Sequence, residues 1–519
     1  MNVPHHRSGS SSLLKHARSR FIVLALIFIA YLPVWSVANW PALRQAWWYY
    51  DDFGHAERWY AGQYRKDLPA EHIHLSTYAL RGGLASGRPG EGLWFLTFLL
   101  DGNRNQKLSN ILLRFAQGAV HCLAATVAAV LIWKQTKKWT AFLSVLPFLL
   151  WPFNGEAVLW RTVGTYPIAA LLGLLGVYII RHSERRRLLL SATGALCVAL
   201  AMLTNQVAAL AGLVVWMLTF SLLIQKPPVA KKQLGFEAVF ILSGYATGGT
   251  LSYILTYFNK GDHRVAFVSD YVDKQSFLVK LNELFIVGPD HYPDWLTILH
   301  VTLLLGSIAL VIGSARHMGL SIRQALLSVF FLLTALVTPY ATLLLVSQSW
   351  PSWRVMYVAP FLMTGAWVLL DQSIGTRKVG SFISIGLLSL ILIGYISISW
   401  VNSSEYVQVF EADLRVLSQI ENYASEEHIP GEQVFVATAP DFVRGWNPHG
   451  MTYMHGDSKI SSFLKRWTAH PFIRWFSWLR PVEDATIKTE CLARCQRTKE
   501  WEAFQFYKLQ NSGALCVCP

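Results

Sequence analysis

The chain contains little charge and little cysteine for its length. Of its 519 residues only 15% are charged, whereas 53% are hydrophobic, and four of its six cysteines lie after position 490. It also lacks a P-loop, a dinucleotide-binding glycine fingerprint, a His-Glu-x-x-His motif and a nucleophile elbow. These absences disfavour enzymes that bind a nucleotide in a cytoplasmic domain, and the composition is typical of membrane proteins.

Long hydrophobic runs recur along the first 400 residues. A membrane-spanning helix needs on the order of 20 mostly apolar residues, and window hydropathy predicts about eleven such segments. They cover roughly residues 21–38, 110–133, 140–153, 166–180, 188–204, 207–224, 236–257, 295–313, 325–346, 355–370 and 380–400. We therefore expect an all-α polytopic membrane protein, with residues 1–20 as a cytoplasmic tail and residues 21–400 as the transmembrane domain. The first span has no small-x-small cleavage site and should remain as an anchor.

The basic residues predict the orientation of the chain in the membrane. Lys and Arg cluster in short segments between the predicted spans, and all of these segments fall on one side: 134–138, 181–187, 226–232, 316–323 and 377–378. By the positive-inside rule this side is the cytoplasm. The clusters account for most of the net charge of +14, because residues 401–519 contain 12 basic and 14 acidic residues. No basic soluble face remains, so a nucleic-acid partner is not expected.

An aspartate pair lies near the start of the long outer segment 39–109, within Tyr49-Tyr50-Asp51-Asp52-Phe53-Gly54. An ionisable pair at a membrane boundary is costly and indicates a functional site. One aspartate, with Asp52 slightly preferred over Asp51, can accept a proton from a hydroxyl or help to hold a divalent metal. The alternative is that one of them caps a helix that begins near Phe53.

Other polar residues of the same segment are possible supporting groups. His55, Glu57 and Arg58 follow the aspartate pair closely. His72 and His74 share a face if the chain there is extended. They have no third ligand at a diagnostic spacing, so solvated loop histidines are preferred to a metal site.

Two arginines of the predicted outer face are candidates for phosphate binding. Arg88 lies in Ser86-Gly87-Arg88-Pro89, and Arg354 precedes an apolar helix predicted to begin at Val355. A cation at a helix start opposes the helix dipole, so Arg354 suits an incoming anion better than a cap. The alternative is an interfacial Arg354 that reaches water between tryptophans. The outer turn 154–165 adds Glu156 and Arg161, which can also simply pair with each other.

Residues 401–519 predict a small extracytoplasmic α/β domain. Residues 405–428 have the spacing of an amphipathic helix, and residues 432–439 and 503–509 alternate like strands. Cys491, Cys495, Cys516 and Cys518 favour two disulfides, with three possible pairings. A zinc site is the alternative, although neither cysteine pair has the usual two-residue spacing.

Three segments together resemble the GT-C class of polytopic glycosyltransferases, and most closely the phage-type, serotype-converting glucosyltransferases that modify O-antigen. They are the Asp51-Asp52 pair, residues 86–89 and residues 350–360. The resemblance implies a GT-C-like fold and a polyprenyl-phosphate sugar donor. It also implies that Asp51 or Asp52 acts as base or metal ligand, and that Arg88 and Arg354 contact the donor phosphate.

The sequence therefore predicts a glycosyltransferase of the bacterial inner membrane. It would move a sugar from a polyprenyl-phosphate donor to a cell-envelope glycan on the extracytoplasmic face, with inversion, among membrane lipids. A transporter or flippase of lipid-linked glycans is an alternative, disfavoured because the spans look nearly free of charge. A ligase or polymerase that uses a diphosphate-linked glycan and a non-catalytic scaffold are further alternatives.

Overall fold

The structure is a computed structural model that describes most, but not all, of the chain. The described residues are 9–44, 83–84, 86–95, 106–151, 154–159, 164–183, 187–223, 230–258, 295, 298–299, 302–303, 305–306, 308–309, 321–344, 357–358, 360–374, 378–431, 433–437, 469–470, 472–473, 477–479, 481, 484–495 and 504–518.

The described part is mostly helical. Its long helices are α1 (Gly9–Ala38), α4 (Gln106–Thr136), α8 (Thr165–Arg181), α9 (Arg187–Thr204), α10 (Gln206–Leu223), α11 (Ala230–Phe258), α12 (Ile322–Leu344), α13 (Phe361–Ile374) and α14 (Lys378–Glu426). Short helices between them are α2 (Trp40–Leu43), α3 (Pro89–Phe95), α5 (Thr140–Ser144), α6 (Leu146–Leu149) and α7 (Asn154–Leu159). Helices α4, α8 and α10 pack against one another at the centre of one large apolar core.

Several of these helices suit a membrane. Within the described residues, three are long and apolar enough to cross one: Asn110–Thr136, Leu234–Phe258 and Phe382–Glu426. Shorter apolar helices lie at Ile22–Ala38, Thr165–Arg181, Leu188–Thr204, Gln206–Ser221 and Ile322–Ala335. Exposed leucine, isoleucine and phenylalanine side chains on α1, α9, α11 and α14 would face lipid. The structure therefore supports a membrane protein, while the count of eleven crossings stays a prediction.

Proline and asparagine divide the apolar segments. The segment predicted as one span over 140–153 is instead two short helices, α5 and α6, because Pro147 has no amide hydrogen to continue a helix. Helix α9 ends at Thr204, and the Asn205 side chain accepts a hydrogen bond from the Ala208 amide at 3.0 Å, which caps the start of α10. The helix predicted to begin at Val355 begins at Phe361, directly after Pro360.

The last predicted span and the predicted amphipathic helix are one helix. Helix α14 runs without a break from Lys378 to Glu426, across the boundary that we predicted near residue 400. Its first part packs in the large apolar core, and its last part, from Phe410 to Ala424, packs on the C-terminal sheet. The C-terminal domain is thus attached to the membrane domain through continuous helix.

The C-terminal domain has three layers, as far as the structure describes it. Its sheet has the order β1 (Val434–Val436), β3 (Leu515–Cys518) and β2 (Gln505–Lys508), with β1 parallel and β2 antiparallel to β3. Side chains of β3 alternate, so Leu515 and Val517 pack towards α14. Cys516 and Cys518 face helix α15 (Ala485–Cys495) on the other side. The predicted α/β character is confirmed, and β3 is a strand that the sequence analysis missed.

The predicted disulfides are present in this domain. Cys491 pairs with Cys516 and Cys495 with Cys518, so both bonds join α15 to the central strand. Cys491 and Cys495 are one helical turn apart, and Cys516 and Cys518 are on the same face of β3. This geometry selects one of the three pairings that the spacing left open.

Asp484 caps helix α15, and this cap makes a testable contribution to the domain. The Asp484 Oδ1 atom accepts hydrogen bonds from the amides of Ile487 at 3.0 Å and Thr486 at 2.8 Å. These two bonds hold the pKa of the carboxyl below its ordinary value of 3.8. A depressed pKa means that the stabilisation is present above the unfolded-state pKa and is lost as the pH falls through the folded-state pKa.

We therefore expect Asp484→Ala to lower the unfolding midpoint of the domain at pH 7, and the difference from wild type to shrink steadily as the pH falls below 4. Proteolysis of the C-terminal domain in the purified full chain, followed against temperature, measures it. Asp484→Asn is the matched control, because its side chain can cap without titrating. An Asp484→Ala defect of equal size at pH 7 and at strongly acid pH would contradict this account.

Candidate functional site

Arg88 is the predicted phosphate-binding residue whose surroundings the structure describes. Its Nε donates a hydrogen bond to Oε1 of Gln206 at 2.6 Å, and its Nη1 lies 3.4 Å from Oε2 of Glu91. Gln206 in turn donates from Nε2 to the Ser252 hydroxyl at 2.8 Å. About a third of the Arg88 side chain stays exposed. The guanidinium is therefore held in place on one edge, with surface left for an anion.

The turn that carries Arg88 depends on Gly87. Gly87 has a φ of +67°, in the left-handed region that favours glycine. A Cβ at this position would lie 2.5 Å from both the backbone oxygen and the hydroxyl of Ser252, and 2.6 Å from the Thr256 hydroxyl. The Arg88 amide closes the turn onto the Gly83 oxygen at 2.6 Å. Backbone conformation and close contact with α11 together place Arg88.

Helix α3 connects this turn to the outer ends of the central helices α4 and α8. It begins just after Arg88 and packs against α8 and α9. Near its end, Trp94 lies against Gly164, where any side chain would also collide with Gln117 of α4. The contacts of this turn and helix (Gly164, Thr204, Gln206, Ser252 and Thr256) all lie at helix ends that the charge pattern predicts to be outer.

A column of buried polar side chains runs along the first half of α4. Asn110, Arg114, Gln117 and His121 repeat at helical spacing, so they share one face, and each is at most 4% exposed. Arg114 donates from Nε to the Leu159 oxygen of α7 at 3.2 Å. A cation and a histidine inside an apolar bundle are costly and indicate function. We call these four residues the polar column.

His121 closes the inner end of the polar column. Its Nε2 lies 3.4 Å from the Leu149 oxygen and therefore carries a hydrogen, which leaves Nδ1 to accept from the Tyr357 hydroxyl at 2.6 Å. Phe148 packs against both rings, with ring centroids 4.7 Å from His121 and 5.4 Å from Tyr357. This cluster joins α4, α6 and the turn before α13, three residues after Arg354.

Two further polar atoms are buried near the polar column. Asn154 begins α7 and donates from Nδ2 to the Phe148 oxygen at 3.1 Å, and Thr165 follows Gly164. Among the described residues, neither Oδ1 of Asn154 nor the Thr165 hydroxyl has a hydrogen-bond partner. A buried polar atom without a partner costs free energy unless a ligand or water satisfies it. A ligand or water that hydrogen-bonds these two atoms would recover that free energy.

The remaining predicted site residues lie outside the described part of the chain. These are Asp51, Asp52, His55, Glu57, Arg58, Arg161 and Arg354. Glu156 lies on α7, and nothing is described of its side chain. The described helix α13 begins at Phe361, and because Arg354 lies outside the described residues, its predicted role stays a prediction.

The sequence analysis missed the polar column. It considered the spans nearly free of charge, and the buried Arg114 on a membrane-length helix corrects this. The signal was present in residues 109–124, where Asn, Arg, Gln and His recur at intervals of four, three and four residues. Window hydropathy averages over all faces of a helix and so hides one polar face. A search for polar residues at intervals of three and four would have found it.

A second buried ionic group lies at the opposite end of the bundle. Glu237 of α11 accepts hydrogen bonds from Arg181 Nε at 3.2 Å, Arg181 Nη2 at 3.1 Å and Trp216 Nε1 at 3.1 Å. Arg181 also donates from Nη1 to the Thr219 hydroxyl at 2.8 Å. This group joins α8, α10 and α11 at their predicted cytoplasmic ends, far along each helix from the Arg88 turn.

Comparison with known proteins leaves the family open. No protein-family model matches the chain, and a search of curated proteins found no similar sequence.

Proposed function

We propose that this chain is a GT-C-like glycosyltransferase of the bacterial inner membrane, which transfers a sugar from a polyprenyl-phosphate donor to a cell-envelope glycan on the extracytoplasmic face. Its transmembrane domain would contain about eleven spans. The observation that carries the proposal is the position of α3, with the anchored Arg88 at its start and Trp94 against the polar column at its end. The two points are about 9 Å apart along the helix at 1.5 Å per residue, a distance that a sugar phosphate can bridge.

The roles of the residues follow from their chemistry. The exposed edge of Arg88, together with Arg354, would bind the donor phosphate and stabilise the charge that develops on it as it leaves. Polar groups near the column would hydrogen-bond the sugar hydroxyls, while the Trp94 ring would provide an aromatic surface for the sugar. An aspartate of the Asp51-Asp52 pair would take the proton from the acceptor hydroxyl as that oxygen attacks the anomeric carbon. A single displacement of this kind inverts the anomeric configuration.

Sugar transfer by the purified full chain tests this proposal. Lipid nanodiscs would receive synthetic polyprenyl-phosphate donors with radiolabelled hexoses, and transfer into a cell-envelope glycan fraction would be counted. We expect Asp52→Asn, or the Asp51→Asn/Asp52→Asn double variant, to lose on the order of 10²–10⁴-fold of the rate. Arg88→Ala should lose about 10–100-fold, since a charge-assisted hydrogen bond to phosphate contributes roughly 1.5–3 kcal/mol.

Arg323→Ala is the matched control for Arg88→Ala. Arg323 is exposed near the start of α12, on the predicted cytoplasmic side, and its loss should leave transfer unchanged. Full activity in all aspartate variants would overturn the catalytic role of the pair. Absence of transfer by the wild type with every donor would overturn the proposed function.

The polar column also favours a second candidate, a transporter or flippase of lipid-linked glycans, because ionisable residues inside spans often mark substrate pathways. The two candidates differ in what Arg114→Met should abolish. A transporter would lose movement of a fluorescent lipid-linked sugar between the leaflets of a vesicle, and the wild type would show this movement without an acceptor. In a glycosyltransferase, Arg114→Met should instead abolish sugar transfer, and the wild type would form product without moving the donor between leaflets.

A further inference from the structure

The four cysteines of the C-terminal domain form one compact sulfur cluster. The Cys491, Cys495 and Cys516 sulfurs all lie within 4.8 Å of one another. For three of the four pairs of sulfurs that are not bonded to each other, the distances are 4.0 Å from Cys491 to Cys495, 3.6 Å from Cys495 to Cys516 and 3.7 Å from Cys516 to Cys518. Two disulfides that only link a helix to a strand do not require their sulfur atoms to be this close together.

These distances match those within a tetrathiolate metal site. Four sulfurs about 2.3 Å from a tetrahedral Zn²⁺ stand about 3.8 Å apart. After reduction, the two bonded pairs would have to separate and the Cys518 sulfur would have to approach that of Cys491 to reach that spacing. The sequence spacing did not predict that the four thiols lie close together. The fold places them there, because Cys491 and Cys495 are one turn apart on α15 and Cys516 and Cys518 are alternate residues of β3.

The surroundings of the cluster also suit a buried metal. All four cysteines are at most 1% exposed and lie among Phe435, Ala437, Leu509 and Ala514, which exclude water. A zinc ion with four thiolates carries a net charge of about −2. Arg494 directly precedes Cys495 on α15 and is exposed, and its guanidinium lies 4.7 Å from the ring of Tyr507, the residue opposite Cys516 in the sheet. A cation beside the cluster would offset part of that charge.

We propose that the reduced form of Cys491, Cys495, Cys516 and Cys518 binds one thiophilic divalent cation such as Zn²⁺, so that metal binding and disulfide formation are alternative states of one cluster. Every newly synthesised chain carries these cysteines as thiols. Starting from the disulfides, a dithiol reductant supplies two electrons and two protons to each S–S bond and becomes a disulfide itself. Binding of Zn²⁺ then displaces one proton from each of the four thiols.

This inference does not depend on the glycosyltransferase proposal. It implies that the C-terminal domain can fold before it is oxidised, because metal binding supplies folding free energy to a site that the unfolded chain lacks. Oxidation would then release the metal and lock the same arrangement of α15 against β3.

Metal content of the full chain in each redox state tests the proposal. The purified protein in nanodiscs would be reduced with a phosphine or left oxidised, incubated with Zn²⁺, freed of excess ion and measured by elemental analysis. We expect the reduced protein to bind about one equivalent of Zn²⁺ per chain more than the oxidised protein. Co²⁺ should give the absorption bands of a tetrahedral tetrathiolate, and protease resistance of the domain should be higher with metal than without.

Two variants keep the test specific. Cys516→Ser should lose the bound metal, whereas Cys197→Ala, which removes an unbonded cysteine of α9, should retain it. If reduction unfolds the domain, addition of Zn²⁺ should restore its protease resistance. A reduced chain that binds no metal, or a Cys516→Ser chain that binds as well as wild type, would overturn the proposal.

Discussion

Glu237→Gln is expected to destabilise the membrane domain by about 3–5 kcal/mol. The substitution keeps the size of the side chain but removes the negative charge that faces Arg181. Both side chains are at least nine-tenths buried, so the Arg181 charge would remain in the bundle without compensation. The hydrogen bond from Trp216 would also weaken, because its acceptor is no longer ionised.

The exposed pair between Lys508 and Glu427 offers the matched control. Their charged atoms are 3.7 Å apart, but each side chain is 45% exposed. Glu427→Gln should therefore change stability by less than about 1 kcal/mol, since solvent screens such pairs. Thermal inactivation midpoints in one detergent and at one heating rate would compare the two variants, because membrane proteins often unfold irreversibly. Equal midpoints for Glu237→Gln and wild type would show that the buried pair does not hold the helices together.

Gly87→Ala is expected to remove most of the contribution of Arg88 to sugar transfer. The left-handed backbone costs a residue with a Cβ about 1–2 kcal/mol. The new methyl group would also collide with Ser252, and one of the colliding atoms is a backbone oxygen that cannot rotate away. The turn would have to shift, and the hydrogen bond from Arg88 to Gln206 would break. Transfer should fall about 10–100-fold, as for Arg88→Ala.

Gly235→Ala separates this effect from a general cost of replacing glycine. Gly235 lies on α11, the same helix that Gly87 contacts, and a Cβ there would meet nothing within 4 Å. Alanine should be neutral there, or stabilising by up to about 1 kcal/mol, because it is the better helix former. The two glycine variants would be compared for accumulation in membranes and for transfer rate. Wild-type transfer by Gly87→Ala would contradict the proposed role of the turn.

The positions of most helices could be predicted from hydropathy, but their ends could not. Apolar runs of about 20 residues are a strong signal over α1, α4 and α8 to α11, because burial and lipid contact both demand them. The breaks after Ser144 and before Phe361 depend on single prolines. The continuity of α14 past residue 400 has no hydropathy signal at all, because a helix remains a helix when its surroundings change from lipid to water.

The candidate site could be predicted only in part. Arg88 stood out as a cation beside glycine and proline, whereas its partner Gln206 lies 118 residues further along the chain, and only the fold brings the two together. The polar column was readable in principle, because its spacing is local to one helix. Disulfide pairing was not, because three pairings satisfy the same sequence until α15 and β3 are placed face to face.

Because α14 does not break at the membrane surface predicted near residue 400, its outer part would move as a rigid arm when the membrane segment tilts. The part beyond Trp400 is roughly 39 Å long at a rise of 1.5 Å per residue. A change of about 5° in the tilt of its membrane segment, small against the range of tilts that such helices adopt, would move the far end by about 3 Å. Because this movement is mainly parallel to the membrane, bilayer thickness would thereby set the lateral position of the C-terminal domain over the helices of the membrane domain.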